Sequence, residues 1–326
     1  MKAASTRSIE DVLLADIGGT NARFAVLAGG KVGSVAHMAV HDYVSFGEAL
    51  GAYLGSLPEA GKIRGAILAA AGVIQDGRCA LTNSSWVIDA GELRAAHGFS
   101  TVRLINDFEA VAWSLPALSH DQILQIGGGQ PVAGAPLAAL GPGTGLGMAL
   151  SIPHATGHLV LSSEGGHSTM AGSSSREDAV IAYLRQRFGH VSAEHVLSGH
   201  GLENLHEALA ALDNLALPRR AAAEITRAGI EGTCPTSRAA VDMFCAMLGT
   251  VAGNLALTLG ARGGIFIGGG ILRHMPDYLV RSPFRARFED KGRLSKYLEP
   301  IPAYLILDED AAFAGLRSLA EAEAIG

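Results

Sequence analysis

The chain has 326 residues, more than one ordinary core accommodates, which predicts two domains. Its formal net charge of −6 argues against a nucleic-acid partner, whose phosphates would be repelled. The three cysteines show no CxxC spacing, which favours reduced thiols in the cytoplasm over disulfides or a structural zinc. Glu10 and Asp11 interrupt the start of the chain where a signal peptide is apolar. No uninterrupted apolar run approaches the roughly 20 residues of a membrane span, so we expect no membrane association.

The first third of the chain alternates strand patterns with helix patterns. In chain order the hydrophobic spacing predicts two strands joined by a turn over 13–27, a strand near 34–40, a helix over 45–57, strands at 65–74 and 101–108, and a helix at 109–118. Such alternation is typical of an α/β sheet covered on both faces.

The pattern loosens at 126–136, which we interpret as a crossing between domains. The strand–turn–strand pattern then returns over 137–152 (LAALGPGTGLGMALSI), which indicates a weak internal duplication. Ser175 with Asp178 predicts a helix start in a capping-box-like arrangement. The segment 237–260 is apolar on most faces, which predicts a helix that is buried or forms a subunit interface.

Three glycine-rich turns, at 16–21, 141–147 and 268–270, each follow an apolar strand. Glycine lets successive backbone N–H groups approach and surround a phosphate, and Thr20 and Thr144 each add a hydroxyl at a matching place. Any one of these turns is more simply a tight turn, but three together favour a nucleotide. No GxxxxGK[ST] or GxGxxG spacing is present, so the pattern predicts phosphates held by hairpin turns from two domains.

Asp16 lies directly before the first of these turns. A carboxylate beside a phosphate would repel it unless a cation lies between them, which predicts Mg²⁺ bound to Asp16 through water. The alternative is that Asp16 hydrogen-bonds its own turn, as aspartates commonly do.

Candidate catalytic and binding side chains follow. Asn106 and Asp107 end an apolar strand and begin a helix, either as ligand-binding groups at the carboxyl edge of a sheet or as a helix cap. Glu164 and His167 flank a pair of glycines, which predicts a compact loop with converging polar tips. A helix is expected to open at Ser192 with Glu194 in its first turn. Carboxylates, an amide and an imidazole around one site suit a ligand with several hydroxyls, such as a sugar.

Taken in order, these segments resemble the bacterial glucokinases, in the superfamily that unites sugar kinases, actin and the heat-shock chaperone ATPases. The resemblance covers nearly the whole chain and rests on ADIGGTNARFAVL, LTNSSW, INDFEAVA, GPGTGLGMA, EGGH, GHVSAEHVLSG, GNLAL, IFIGGGI and FRARFEDKGR. It implies an α/β, two-domain actin-like ATPase (ribonuclease H-like) fold with an active-site cleft between the domains. The small N-terminal α/β domain would comprise residues 1–116, rejoined by a C-terminal helix at about 309–326, and the larger α/β domain residues 117–308. A homodimer is also implied.

The resemblance further implies ATP-dependent phosphorylation of D-glucose at its 6-hydroxyl, feeding glycolysis, with Asp107 as general base. The residues expected to hold glucose are Asn106, Asp107, Glu164, His167 and Glu194. Those expected at ATP are Ala15, Asp16, Ile17, Gly18, Gly19, Thr20, Gly143, Thr144, Gly145, Gly268, Gly269 and Gly270. The cysteine-rich loop of the zinc-containing relatives is missing from the sequence, so no zinc is expected.

Two alternatives remain open at this stage. One is a kinase for another hexose or for a hexosamine, because a single hydroxyl contact decides that choice. The other is a non-catalytic sugar sensor resembling the related repressors. Those repressors carry a helix-turn-helix before the kinase-like core, whereas only fifteen residues precede Asp16 here.

Overall fold

The computed structural model describes residues 11–82 and 84–325. Glu10 and the Asn83 of the LTNSSW segment therefore lie outside the described residues. The chain packs into two compact units. Unit 1 comprises Met1–Leu118 and Glu309–Gly326, and unit 2 comprises Ser119–Asp308.

The strands of the described residues are β1 (Val12–Ile17), β2 (Asn21–Ala28), β3 (Lys31–Val32), β4 (Ala36–Ala39), β5 (Gly65–Ala70), β6 (Ile74–Gln75), β7 (Arg78–Ala80), β8 (Val87–Asp89), β9 (Thr101–Asn106), β10 (Ile123–Ile126), β11 (Leu137–Pro142), β12 (Leu146–His154), β13 (Gly157–Ser163), β14 (Gly264–Ile267) and β15 (Ala303–Ile306). The helices are α1 (Phe46–Gly55), α2 (Ala90–His97), α3 (Asp107–Ser114), α4 (Ser175–Phe188), α5 (Gly199–Leu212), α6 (Ala222–Glu231), α7 (Pro235–Leu259), α8 (Gly270–Arg273), α9 (Pro276–Arg281), α10 (Phe284–Glu289), α11 (Ser295–Leu298) and α12 (Ala311–Ile325).

Unit 1 is built on a sheet of order β3-β2-β1-β5-β9, with β4 also paired to β2. Side chains alternate between its faces, as the period of two in a strand requires. Leu13 and Ala15 pack into the cluster that contains Phe46 of α1. Leu14, between them, packs into the cluster that contains Leu316 of α12. The expected α/β sheet with apolar cover on both faces is therefore present.

The parallel strands of unit 1 end side by side. In the register of the sheet Ile17 of β1 lies beside Ala70 of β5, and Ala70 lies beside Asn106 of β9. The backbone N–H of Ala71 continues this pairing by donating to Ile17 O at 2.9 Å. The turn after β1 and the start of α3 consequently lie at the same carboxyl edge of the sheet.

Helix α3 is held from behind by α12. A side chain on Gly315 would place its Cβ only 1.8 Å from the backbone oxygen of Ala110, so glycine is required for this close approach. Ala110 belongs to the second turn of α3, and Asp107 is the first residue of the same helix. The C-terminal helix thus fixes the helix that carries the candidate base.

Unit 2 repeats the strand arrangement of unit 1. Its sheet has the order β10-β15-β14-β11-β12-β13. β11 is antiparallel to β12 and parallel to β14, just as β1 is antiparallel to β2 and parallel to β5. The repeated strand–turn–strand motif of the sequence therefore corresponds to a repeated hairpin beside parallel strands.

Helix α7 forms the centre of the unit 2 core, with Phe244, Cys245 and Met247 fully buried. Among the described residues it is the one helix long and apolar enough to cross a membrane, and 67% of its most apolar window is buried inside the protein. A buried core helix has the same composition, so the prediction of a buried helix over 237–260 is confirmed.

The predicted cap of α4 is wrong by one residue. Ser174, not Ser175, is the N-cap, and its side chain accepts from the backbone N–H of Glu177. Serines occupy three successive positions there, and each has the chemistry of a cap. Glu177 determines which serine is the N-cap. Its side chain accepts from the backbone N–H of Ser173 at 2.7 Å and is paired with the Arg287 guanidinium.

Candidate active site

The turn after β1 presents backbone and hydroxyl groups to solvent. Gly18 N donates to Asn21 O at 2.9 Å, and Thr20 is exposed. The φ of Gly18 is outside the left-handed region, and a Cβ there would meet only Asn21 O, at an ordinary 3.6 Å. The fold of unit 1 does not itself require glycine at this position, which favours a ligand that approaches the backbone closely.

The carboxylate of Asp16 pairs with Arg23, which lies opposite it in the β1–β2 pair. The guanidinium donates from Nε and Nη2 to Asp16 Oδ2. Its Nη1 donates to Glu309 O at 2.8 Å and to Asp310 Oδ1 at 3.1 Å. Arg23 therefore links Asp16, which precedes the first glycine turn, to the segment that leads into α12. Asp16 is paired across the strands rather than bonded within its own turn.

Asn106 and Asp107 stand where β9 meets α3. Asn106 is the N-cap of α3: its Oδ1 accepts from Phe108 N at 2.9 Å, and its Nδ2 donates to Gly72 O at 3.2 Å. Asp107 Oδ1 accepts from the same Phe108 N–H, and the Asp107 side chain is half-buried. Asn106 is thus a helix cap, as one of the two predictions had it. Each of its amide atoms can still make a further hydrogen bond.

Two ionisable groups near Asp107 have raised pKa values. Burial raises the pKa of the Cys79 thiol, and the negative charge of Asp107 raises it further. Burial also raises the pKa of the Glu109 carboxyl in the first turn of α3. Since a thiol reacts as its thiolate, Cys79 does not compete as a nucleophile at this edge.

The corresponding turn of unit 2 joins β11 to β12. Gly143 N donates to Gly145 O at 2.8 Å, and Gly143 and Thr144 are exposed. A Cβ on Gly143 would have no atom within 4 Å, whereas a Cβ on Gly145 would lie 2.5 Å from Oε2 of Glu194. That oxygen accepts from Leu146 N at 2.9 Å. A Cβ on Gly145 would therefore displace the Glu194 carboxylate from Leu146 N, whereas Gly143 has open space around it.

Glu164, His167 and Glu194 come together in unit 2. His167 Nε2 lies 3.9 Å from a Glu164 oxygen, and its Nδ1 lies 4.0 Å from Glu194 Oε1. Gly165 and Gly166 form a short 3-10 turn with His167, and Glu194 N donates to Gly166 O at 2.9 Å. The two loops are thereby joined through their backbones, and their polar tips converge.

The prediction of a helix that begins at Ser192 is wrong. Ser192 makes an extended bridge to Thr169, and α5 begins only at Gly199, with Ser198 as its cap. Pairing with the preceding loop explains the difference, because Met170 N donates to Val191 O and Ala193 N donates to Ser168 O, both at 2.9 Å, which holds Ser192 in an extended conformation. Glu194 consequently lies in the turn before α5 and not in its first turn.

The third glycine turn leads from β14 into α8. Gly269 has a φ of +107°, and a Cβ on it would lie 2.1 Å from Pro142 O, so packing requires glycine there. Gly270 has open space around it and lines a cavity of about 550 Å³. The opposite wall is α6, including Thr226, Arg227 and Ile230. Among Gly268, Gly269 and Gly270, it is Gly270 that lines a cavity large enough for a ligand.

Sequence reasoning missed Arg23 and the α6 wall of this cavity. A signal for Arg23 exists, since a hairpin closed at 18–20 places Asp16 opposite Arg23, and opposite charges favour cross-strand pairs. No local signal marks α6, because its role depends on packing beside α8. Within the described residues no group of three or more His, Cys, Asp or Glu side chains is arranged to hold a metal ion.

The glucokinase family model matches residues 13–323. The glucokinase of Paramagnetospirillum magneticum is 47% identical over 310 residues, which cover 94% of this chain and 97% of that protein. The chain belongs to the glucokinase family. Membership makes it an enzyme, a transferase of the kinase class.

Solved structures agree with this assignment. The glucokinase of an Antarctic psychrotroph superposes with a TM-score of 0.84 at 37% identity, covering 96% of this chain and 99% of that one. A glucokinase of the ROK family from Streptomyces griseus, solved in complex with glucose and AMPPNP, superposes with a TM-score of 0.63 at 19% identity, covering 95% and 99%. The second likeness concerns the fold alone, which is the two-domain actin-like ATPase fold of these kinases.

We predict that Arg23→Gln lowers the free energy of unfolding by about 1–3 kcal/mol, since it leaves the Asp16 carboxylate without its charged partner. Chemical denaturation measures this change. The matched control is Arg78→Gln, which removes a 60% exposed guanidinium 3.2 Å from Asp89 in the same unit. An exposed pair contributes at most about 1 kcal/mol. Equal losses from the two variants would contradict the anchoring role of Arg23.

Proposed function

We propose that this enzyme transfers the γ-phosphoryl group of ATP to the 6-hydroxyl of D-glucose, giving glucose 6-phosphate and ADP. The observation that carries the proposal is the register of unit 1, which ends β1 and β9 at one sheet edge and so brings the glycine turn and Asp107 to the same side. Relatives named glucokinase at up to 47% identity support the substrate, and the family member solved with AMPPNP supports the donor.

Asp107 is the proposed general base. As the glucose oxygen attacks the γ-phosphorus, its O–H bond breaks and the proton passes to the Asp107 carboxylate. The bond from the γ-phosphorus to the bridging oxygen breaks at the same time, and ADP leaves with the electron pair. The position of Asp107 at the first residue of α3, held by α12, keeps the carboxylate in place for this transfer.

Glucose is proposed to bind Asn106, Asp107, Glu164, His167 and Glu194. Each sugar hydroxyl both donates and accepts, so carboxylates can accept from it while the imidazole and amide donate to it. The convergence of His167 with both glutamates supports this assignment. Glu194 keeps one oxygen on the backbone N–H of Leu146, which leaves Oε1 facing His167.

ATP is proposed to bind through both glycine turns, with its phosphates on residues 15–20 and 143–145. The third turn would carry the adenosine. The cavity between Gly270 and α6 supports that placement, because it is about 550 Å³ and adjoins the open side of the turn. Gly268 and Gly269 then act by shaping the turn, Gly269 through its contact with Pro142.

Mg²⁺ is proposed to accompany the nucleotide. Arg23 occupies one oxygen of Asp16, and the other accepts no hydrogen bond from the described residues. One remaining carboxylate oxygen fits an ion held mainly by phosphates and water, as Mg²⁺ usually is. When bound, the ion would neutralise charge on the phosphates, with Asp16 holding it through a water molecule.

The enzyme is further proposed to be a cytoplasmic homodimer that feeds glycolysis. The three cysteines Cys79, Cys234 and Cys245 are all free, as in a reducing compartment. Strand β13 is an edge of the unit 2 sheet and exposes about half of Leu159 and Leu161, at 51% and 47%. An apolar edge strand of this kind is a surface on which a second copy can pair.

The function is tested by coupled ATP consumption with glucose, mannose, glucosamine and N-acetylglucosamine. We expect glucose to give the highest kcat/KM. Asp107→Asn should lower kcat by about 10²–10⁴-fold, the range for loss of a general base, and change the glucose Kd by less than about tenfold.

Asp42→Asn, which alters an exposed carboxylate of unit 1, is the control and should behave as the unsubstituted enzyme. Turnover by Asp107→Asn at the normal rate would refute the assignment of Asp107 as the general base. ATP consumption with none of the hexoses, or with N-acetylglucosamine in preference, would refute glucose phosphorylation.

Gly143→Ala should raise the KM for ATP at least about tenfold, because its methyl group would occupy the space proposed for phosphate. The glucose KM and the melting temperature should stay unchanged, since no atom of the protein lies within 4 Å of the added carbon. Gly51→Ala, equally unobstructed on α1, is the control. An unchanged KM for ATP would show that the phosphates do not contact this turn.

A further inference from the structure

Unit 2 contains a second cavity, of about 570 Å³, that the proposed chemistry does not use. Its walls are the end of α4, one side of α5 and the loop 213–220. Thr144 and Glu194 reach its rim, but its other lining residues have no part in the sites proposed for ATP or glucose. A cavity of this size with a few converging polar groups is typical of small-molecule sites.

The carboxylates around this cavity are already engaged. Glu207 pairs with Arg187 at 3.7 Å and with Arg219 at 3.9 Å. Glu203 lies 3.4 Å from His200 and accepts from the backbone N–H of Ala222 at 3.1 Å. Glu194 accepts from Leu146 N.

Arg220 and His206 are left without such partners. No carboxylate of the described residues pairs with the half-buried guanidinium of Arg220, in contrast to Arg187 and Arg219. His206 is 3% exposed, and its Nε2 has no hydrogen-bond partner in the described part of the chain. Both residues line the cavity. Burial, and then the charge of Arg220, lower the pKa of His206, so the ring is neutral and retains one N–H donor.

A half-buried cation and a buried, unpaired polar atom each cost free energy until a partner is supplied. A guanidinium and a neutral imidazole that line one cavity match an oxyanion, which can accept from both. We propose that Arg220 and His206 bind the phosphate or carboxylate group of a small metabolite, whose apolar part packs against Leu215, Leu217 and Ala211.

Helix α5 connects this site to the proposed active site. Its first residue, Gly199, donates from its N–H to Gly143 O at 2.9 Å. Ser198 Oγ, at its cap, donates to Glu194 O at 2.9 Å, and Asn204 Nδ2 donates to His195 O at 2.9 Å. A ligand held by His206 would therefore contact the same helix that bonds the Gly143 turn and the loop of Glu194.

Calorimetric titration tests the site directly, with phenyl phosphate as the phosphate probe and benzoate as the carboxylate probe. The protein is first saturated with glucose and AMPPNP, so that the active site does not take up either probe. We expect saturable binding of at least one probe, and chemical-shift changes of the His206 ring nitrogens in ¹⁵N spectra. Binding of phenyl phosphate alone assigns a phosphate ligand, and binding of benzoate alone a carboxylate.

Arg220→Gln should raise the Kd of the bound probe at least about tenfold. Arg220→Lys keeps the charge but loses the planar guanidinium, so its Kd should lie between those of the unsubstituted protein and Arg220→Gln. Arg219→Gln is the matched control, because it removes the neighbouring guanidinium, 88% exposed, from the same cavity. Binding of neither probe, or equal affinity in Arg220→Gln and the unsubstituted protein, would overturn the proposal. Calorimetry needs no phosphoryl transfer, so this outcome is independent of the proposed function.

Discussion

The parallel pairing of β1, β5 and β9 is the constraint on which the proposed chemistry depends. Ile17, Ala70 and Asn106 lie abreast, and neighbouring strands are about 4.8 Å apart, so the first glycine turn and Asp107 are held about 10 Å from each other. A phosphoryl group and the hydroxyl that attacks it fit in that interval. Backbone hydrogen bonds set this distance, and the packing of Gly315 on Ala110 stabilises it from behind.

Glycines serve two different purposes at the turns. Gly269 is required by the protein itself, because a Cβ would lie 2.1 Å from the backbone oxygen of Pro142, whereas a Cβ on Gly145 would meet only the end of the Glu194 side chain. Gly18 and Gly143 meet no such obstacle, and neither has a left-handed backbone. No packing requirement explains these two glycines, which is consistent with the proposal that ATP phosphates approach their backbone.

Much of the fold followed from local patterns, because hairpins, apolar alternation and the cap at Asn106 depend on neighbouring residues. The compact loop at Glu164 and His167 was predicted from its paired glycines for the same reason. The prediction of a helix at Ser192 failed because this residue pairs in an extended bridge with Thr169, more than twenty residues earlier in the chain. Arg23 was missed although its partner Asp16 lies in the same hairpin, whereas the α6 wall was missed because it lies beside α8, far along the chain. Family resemblance supplied the roles that no local pattern determines.

A crystal structure of the complex with glucose and AMPPNP tests the central claim most directly. The account predicts an Asp107 carboxylate oxygen within about 3.2 Å of the glucose 6-oxygen, with the γ-phosphate on the backbone of residues 18–20. An Asp107 side chain directed away from that oxygen, or a triphosphate bound elsewhere than at this turn, would contradict it.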